Sequence, residues 1–318
     1  MLKKVVFYGY GSIAKQHIKI LKTIKPNLVF YVIKKNTIGY KNKKNIFFYK
    51  SLKEVQNINE IKIGFVCSPY NLHFKNVSEL IKNKIHTFVE KPFLNKINFL
   101  NLLNKKIKTN KLYLQSGYLL RLHPTLSKIK KIIKKKSLGK IINVEINFTS
   151  YLPLWRKSNY IYSVSSQKKY GGGVINELVH EIDILNVLFK KINFIDKKLF
   201  FNSDLKTDVE ERAFIFLKSN NKNIFIKLSF NEKDLTRYIF INFSNGSLKW
   251  NMLNDSLEIK KIDKKKIKVN KKNFGNTFNT IKKKQILFFL KNIKKRKFGI
   301  HNIDLEKKTI KLLNEIKK

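Results

Sequence analysis

The 318-residue chain is poor in cysteine, arginine and acidic side chains, and it has no long apolar run. Cys67 is the sole cysteine, which excludes an intrachain disulfide and fits a reducing compartment; a cytoplasmic protein is expected. No apolar stretch approaches the ~18 residues that a membrane helix requires, so no membrane partner is expected. Lys3-Lys4 before Val5-Val6-Phe7 imitates a signal peptide, but the run is too short and no small-residue cleavage site follows. The 21 acidic residues against 68 basic ones leave a formal charge of +47, which invites a nucleic-acid reading. Scarcity of arginine argues against it. Only Arg121, Arg156, Arg212, Arg237 and Arg296 interrupt the lysines, which are spread along the whole chain. A dedicated base reader favours the planar guanidinium fork. Salt-sensitive, nonspecific polyanion binding is expected as a side effect, without a specific nucleic-acid partner.

What is present points elsewhere. The length exceeds that at which single cores stop growing, and 43% of residues are hydrophobic, so two domains are expected. The organising stretch is Val5-Val6-Phe7-Tyr8-Gly9-Tyr10-Gly11-Ser12-Ile13-Ala14, a β-type run entering a glycine turn. A helix leaves the turn with Ile13, Ile18, Leu21 and Ile24 on one face. Gly9-x-Gly11-x-x-Ala14 is a dinucleotide fingerprint with Ala in the third place. Gly9 permits the turn, Gly11 admits a pyrophosphate to the backbone, and Ala14 lets helix and strand approach. The N–H groups around Ser12 and Ile13 face the phosphates.

Leu28–Ile33 reads as the second strand. Lys34-Lys35-Asn36 follows, where an NAD enzyme usually carries a carboxylate for the ribose 2′-hydroxyl. Lysines attract a 2′-phosphate, so NADP is favoured over NAD; the rival reading is two more solvated lysines. Ile46–Tyr49 is a short strand, Ser51 is expected to cap a small helix from Leu52, and Ile63–Cys67 is a buried strand. The loop after it, with Ser68, Pro69 and His73, falls at the carboxyl edge of a parallel sheet, where ligands bind. A helix to about Asn83 leads to the strand His86–Val89 and then to Glu90-Lys91-Pro92. This tripeptide delivers Lys91 to the cofactor edge, where an ammonium near a nicotinamide suits proton transfer.

These pieces resemble the glucose–fructose oxidoreductase / inositol dehydrogenase (Gfo/Idh/MocA) oxidoreductases. The matching segments are Gly9–Ala14, Ser68-Pro69 with His73, and Glu90-Lys91-Pro92. The match continues through the strand Leu112–Ser116 and Gly117-Tyr118-Leu119-Leu120-Arg121-Leu122-His123-Pro124. The resemblance implies an α/β fold: an N-terminal Rossmann-type parallel sheet over 1–120, and a C-terminal α+β domain over 121–318 with a mainly antiparallel open sheet. It also implies a homo-oligomer joined through that sheet.

In the second part, Pro124–Lys136 reads as a helix and Ile141–Phe148 as a strand. Tyr151-Leu152-Pro153-Leu154-Trp155-Arg156 and Tyr162 form an aromatic loop suited to a sugar or phosphate; with Arg121 they are candidate substrate contacts. The rival reading is a loop packed on the sheet. Tyr170-Gly171-Gly172-Gly173 then opens a helix running to about Phe189. The spacing predicts that Glu177, His180 and Asp183 lie along one side of it, with Val174, Leu178, Ile182, Leu185 and Leu188 buried. The segment resembles the family's GGG…H…D stretch, which implies that His180 serves as acid/base on a substrate hydroxyl. Many family members carry Asp where Asn176 stands, so the carboxylate that orients His180 is open between Glu177 and Asp183. Strand-like runs follow at Ala213–Lys218, Ile224–Phe230, Tyr238–Phe243, Ser247–Trp250 and Ser256–Ile259. The lysine run between Lys260 and Lys272 reads as an exposed loop or hairpin. Helices Asn279–Ile293 and Leu305–Ile316 close the chain.

The expectation is therefore an NAD(P)-dependent sugar dehydrogenase, with cofactor on the first sheet and substrate in the cleft. The subgroup resemblance, Tyr-Leu-Pro-x-Trp-Arg with His-Glu-Ile-Asp, implies a nucleotide-linked or amino sugar of polysaccharide biosynthesis. No metal is expected. A cofactor-binding regulatory relative without dehydrogenase activity is the alternative that Asn176 keeps open; a basic nucleic-acid-binding protein is a more distant one.

Overall fold

Val5, Val6 and Phe7 are fully buried because their strand is paired on both edges. This strand, β1 (Lys4–Tyr8), lies in the interior of a seven-stranded sheet. The structure, a computed structural model, describes residues 3–155, 159–201, 204–263 and 266–318. The chain divides into two compact units, one of Met1–Tyr118 with Lys282–Lys307, the other of Leu119–Ile281 with Lys308–Lys318.

In the first unit, β1 is followed by α1 (Ser12–Ile24), β2 (Val29–Ile33), β3 (Ile46–Tyr49) and β4 (Ile63–Val66). Then come α2 (His73–Lys82), β5 (His86–Val89), α3 (Ile97–Thr109) and β6 (Tyr113–Ser116). The strands are parallel in the order β3-β2-β1-β4-β5-β6, and a two-residue strand, Gly299–Ile300, pairs beside β6. The order turns back between β1 and β4, the switch point where doubly wound sheets bind ligands at the strands' carboxyl ends. The core is phenylalanine-rich: Phe7 stacks on Phe65 at 4.8 Å and 7°, and Phe30, Phe88 and Phe289 complete the cluster. α1 buries Ala14, His17, Ile18 and Leu21 against it. The expected stripe is thus shifted. Ile13 and Ile24 are only partly buried, and a histidine stands in the apolar face. Ser51 makes no capping bond to the single turn Leu52–Glu54; its hydroxyl instead donates to Glu54 Oε1 at 3.1 Å.

The second unit contains α4 (Pro124–Lys135), β7 (Ile141–Tyr151) and the single turn α5 (Leu152–Trp155). After them come α6 (Val174–Glu177) and α7 (Val179–Leu188). Its eight-stranded sheet also takes β8 (Asn193–Phe200), β9 (Arg212–Ser219), β10 (Lys222–Ser229), β11 (Asn231–Phe243), β12 (Gly246–Asn251), β13 (Ser256–Asp263) and β14 (Lys266–Asn273). The order is β14-β13-β12-β11-β7-β10-β9-β8, antiparallel except between β10 and β7. β13 and β14 form the lysine-rich hairpin. α8 (Phe278–Lys294), β15 (Gly299–Ile300) and α9 (Ile303–Lys317) end the chain. The segment expected as continuous second domain over 121–318 is interrupted. Lys282–Lys307 belongs with the first unit, because Ile286 and Phe289 fill its core and β15 extends its sheet.

The helix expected after the triple glycine is broken. Leu178, at φ −98° and ψ 25°, separates α6 from α7, so Glu177 is not on the helix of His180 and Asp183. α7 is buried nearly all round instead of along one stripe, and its His180, Glu181 and Asp183 are all withdrawn from water. Among the described residues no helix is long and apolar enough to cross a membrane.

Candidate active site

In the first unit, the candidate residues begin at the glycine turn between β1 and α1. Gly9 sits at φ +90°, and a Cβ there would meet the Cys67 carbonyl oxygen at 2.7 Å, so backbone conformation and space both demand glycine. Gly11 differs: nothing lies within 4 Å of where its Cβ would be. α1 starts immediately after it, with no side-chain cap and no acidic residue in its first turn. A helix N-terminus left open, with unsatisfied N–H groups and the positive end of its dipole, fits a pyrophosphate. Ser12 is exposed and Ile13 half-buried at this opening, and Ala14 is fully buried against the sheet.

Beside the turn, Tyr10 meets Phe48 edge-on at 5.0 Å and Tyr40 at 5.9 Å. The Lys34 ammonium lies 4.3 Å from the Tyr40 ring centre, and Lys35 is exposed. The end of β2 therefore carries two cations, one of them on an aromatic face.

His73 is buried, and both ring nitrogens face backbone carbonyls: Nδ1 lies 2.8 Å from Pro92 O, Nε2 3.0 Å from Ser68 O. Burial lowers its pKa, outweighing the carbonyl contacts and the charge of Glu90. The imidazole ties the Ser68-Pro69 loop to the segment after Lys91. Asn76 Nδ2 donates to Ser68 Oγ at 2.7 Å, steadying the same loop.

Glu90 is the electrostatic centre of the first unit's candidate residues. His17 Nε2 lies 2.6 Å from its Oε1, and Oε2 accepts from the Lys91 amide at 3.3 Å. Burial alone would raise the Glu90 pKa, but the His17 bond and the charges of His17 and Lys91 hold it below the ordinary value. Lys91, half-buried, precedes Pro92 through a cis peptide. Lys282, from α8, donates to Gln16 Oε1 at 2.5 Å; burial lowers its pKa while Glu90 pulls it back up. Sequence reasoning missed both His17 and Lys282. The only local signal was a histidine in an apolar stripe.

In the second unit, a separate set of candidate residues surrounds α7. His180 is 9% exposed in its first turn. Asp183 Oδ2 accepts from Arg121 Nε at 2.9 Å and its Oδ1 from Arg121 Nη2 at 2.6 Å; Thr309 Oγ1 donates to Oδ1 at 2.8 Å. Arg121 and Asp183 were expected in different roles, as substrate contact and catalytic carboxylate; the structure brings them together as a bidentate buried pair. Glu181, fully buried, accepts from Arg237 Nε at 2.7 Å, and that guanidinium lies over Phe148 at 4.5 Å. Both carboxylates flanking the His180 turn are thus neutralised by arginine. Glu177 is half-buried on α6. Trp155, 39% exposed, packs near Phe230 at 5.8 Å, and Tyr162 is 76% exposed. Arg156 lies outside the described residues. Asn176 Nδ2 donates to the carbonyls of Gly171 at 3.0 Å and Gly172 at 3.1 Å.

A parallel sheet with its glycine turn at the switch point, joined in one chain to a large open sheet, defines a dinucleotide-binding oxidoreductase architecture. The chain belongs to the Gfo/Idh/MocA family: residues 3–118 match its model of an oxidoreductase family with NAD-binding Rossmann fold, and 126–249 match the GFO/IDH/MocA C-terminal domain. A curated relative, glucose-6-phosphate 3-dehydrogenase of Bacillus subtilis (strain 168), is 23% identical over 217 residues. That match takes in 67% of this chain and spans 62% of the relative's length. Among solved structures, the 3-ketoreductase KijD10 from Actinomadura kijaniata, in complex with NADP and TDP-benzene, superposes with a TM-score of 0.83 at 13% identity. The superposition covers 100% of this chain and 97% of that one. A levoglucosan dehydrogenase in complex with NADH gives 0.80 at 14% identity, covering 99% and 95%. At these identities the structural likeness speaks for the fold.

Proposed function

We propose that the protein is an NAD(P)-dependent dehydrogenase or reductase that moves a hydride between nicotinamide and a hydroxyl- or keto-bearing carbon of a sugar. The observation that carries the cofactor half is the open, uncapped N-terminus of α1 behind Gly9 and Gly11. When bound, the nicotinamide accepts or donates the hydride. The protein binds its pyrophosphate on the α1 amides of Ser12 and Ile13. Lys34 and Lys35, with no carboxylate at the end of β2, favour the 2′-phosphate of NADP. The relatives carry either cofactor by their printed names.

For the proton, His180 takes it from the sugar hydroxyl in the oxidative direction and returns it in reduction, with Lys91 assisting. Asp183 anchors Arg121 and fixes α7, which leaves Glu177 as the carboxylate we assign to orienting His180. Trp155, Arg156 and Tyr162 supply sugar contacts. Two relatives are named for chemistry at C3, one crystallised with a TDP-linked compound, and we carry both features over: C3 of a nucleotide-linked sugar. The open sheet face, where Phe214, Phe216 and Phe225 meet at 5.3–6.0 Å, is our candidate for the subunit contact of a homo-oligomer.

The test is fluorescence titration with NADPH and NADH at physiological and high salt, followed by turnover on a sugar panel. Tight binding that survives high salt supports the site. Lys91→Met is expected to cut turnover by about 100-fold or more while changing cofactor affinity little. Neither cofactor binding, nor any released on unfolding, would remove the basis of this reading.

A further inference from the structure

The triple-glycine turn is held by the side chains of Glu210 and Asn176 and by the backbone of Ser165. Gly173 adopts φ +100° and ψ 154°, and a Cβ there would run into the Glu210 carboxylate. That carboxylate faces the turn from below. Its Oε1 accepts from the Ile175 amide at 3.2 Å, while the Glu210 carbonyl accepts from Val174 N at 3.0 Å. Asn176 uses both amide hydrogens on Gly171 O and Gly172 O. Its oxygen accepts from the Lys317 ammonium near the end of α9. The Gly173 amide donates to Ser165 O at 2.9 Å.

We propose that Asn176, Glu210 and Lys317 are positioning residues that fix the Gly171–Gly173 turn, and through it the start of the segment carrying His180. The proposal rests on the reading of His180 given above.

The chemistry at position 176 is specific. Two carbonyl oxygens require donors, and the ammonium requires an acceptor. An asparagine amide provides two N–H donors and one oxygen on a single group. An aspartate would turn a second acceptor onto the two glycine carbonyls. Asn176 is therefore matched to this turn and need not be a lost catalytic carboxylate. Lys317 and Glu210 complement one another. The Lys317 residue is exposed, but its ammonium end is withdrawn towards Asn176 and Glu210. Burial brings its pKa down to about 8 against the pull of Glu210. Burial likewise raises the Glu210 pKa, against backbone hydrogen bonds and the charges of Lys317 and Lys168. Removing one of two such partly desolvated, oppositely charged groups leaves the other uncompensated.

The experiment compares Asn176→Asp, Glu210→Gln, Lys317→Met and Lys317→Arg in the full-length protein. It measures sugar turnover, nicotinamide affinity by fluorescence, and hydrogen exchange of the 171–175 amides. Asn176→Asp and Lys317→Met are expected to lower turnover at least tenfold and to speed exchange at the turn, with cofactor affinity within about twofold. Lys317→Arg should recover much of the loss, since it restores the donor. Glu210→Gln, which keeps shape and an acceptor oxygen, serves as the milder variant should another fail to fold, and is expected to speed exchange at Ile175, whose charged acceptor it replaces by a neutral one. Wild-type turnover and unchanged exchange in Asn176→Asp would overturn the proposal, as would a gain in activity. If the wild-type protein turned over no sugar yet exchange at the turn rose in the variants, the dehydrogenase reading would fail and the bracing would stand.

Discussion

The two glycine turns of this chain are built on opposite principles. At Gly9-Tyr10-Gly11 the protein leaves the helix N-terminus uncapped, with open space beside Gly11. At Gly171-Gly172-Gly173 it fills every side: Glu210 beneath Gly173, Asn176 on two carbonyls, and Ser165 on the Gly173 amide. The first turn leaves backbone donors for a ligand. The second satisfies its own backbone and carries no spare donor for phosphate. The same residue type thus serves as an opening in one place and as a fulcrum in the other. What distinguishes them is whether the surrounding side chains reach in.

The largest expected effect strikes the braced region. Arg121→Met removes the cation from a buried bidentate pair and leaves Asp183 stranded. Breaking such a pair costs about 3–5 kcal/mol, read as a fall in denaturation midpoint, with the second unit affected first. A midpoint within experimental error of wild type would show that Asp183 finds other partners and that this region is softer than its contacts imply.

A smaller effect, and the sharpest contrast, comes from one substitution made in both turns. Gly173→Ala forces a side chain into a glycine-only backbone region, costing about 1–3 kcal/mol even before Glu210 moves. Gly11→Ala finds room and ordinary φ, so stability should hold while nicotinamide nucleotide affinity falls by about tenfold, roughly 1.4 kcal/mol. Thermal melts and fluorescence titrations on the two variants should give opposite patterns. Matching patterns would erase the distinction between the turns.

The smallest effect is a pH dependence at Glu90. Its folded-state pKa is lowered despite burial, by His17 and Lys91, so its contribution is present above the ordinary value of 4.5. It is lost as pH falls through the depressed folded value, where the folded protein must take up the proton. The stability advantage of wild type over Glu90→Gln should therefore be flat at neutral pH and shrink below about pH 4.5. An advantage that grew on acidification would contradict the His17–Glu90 pairing.

Much of the first unit was legible because its signals are local. Strand, turn and helix at Val5–Leu21 lie within one short window, and so do β4, α2 and β5. The pairs that hold the candidate residues are not local. His17 meets Glu90 across 73 positions, Arg121 meets Asp183 across 62, and Lys317 meets Asn176 across 141. No periodicity encodes such partners. The even spacing of Glu177, His180 and Asp183 misled for a related reason. Spacing by three assumes one continuous helix, and the break at Leu178 voids the assumption. α3 had no expectation, because its buried positions Leu100, Leu103 and Ile107 are diluted by exposed Leu102 and intervening asparagines. β8 was passed over because it lies at a sheet edge, where only partial burial shapes its pattern. Lysine abundance obscured a further feature: both buried ion pairs flanking His180 use arginine, two of only five in the chain.

The return of Lys282–Lys307 to the first unit has a consequence for the order of synthesis. A ribosome makes β1 to β6 first, yet Ile286 and Phe289 of their core, and the strand Gly299–Ile300 beside β6, follow only after Leu119–Ile281. The dinucleotide unit therefore waits, incompletely packed, while the segment Leu119–Ile281 is translated. Its final closure comes after synthesis of the intervening unit, when Lys282–Lys307 supplies the packing that the earlier segment lacks.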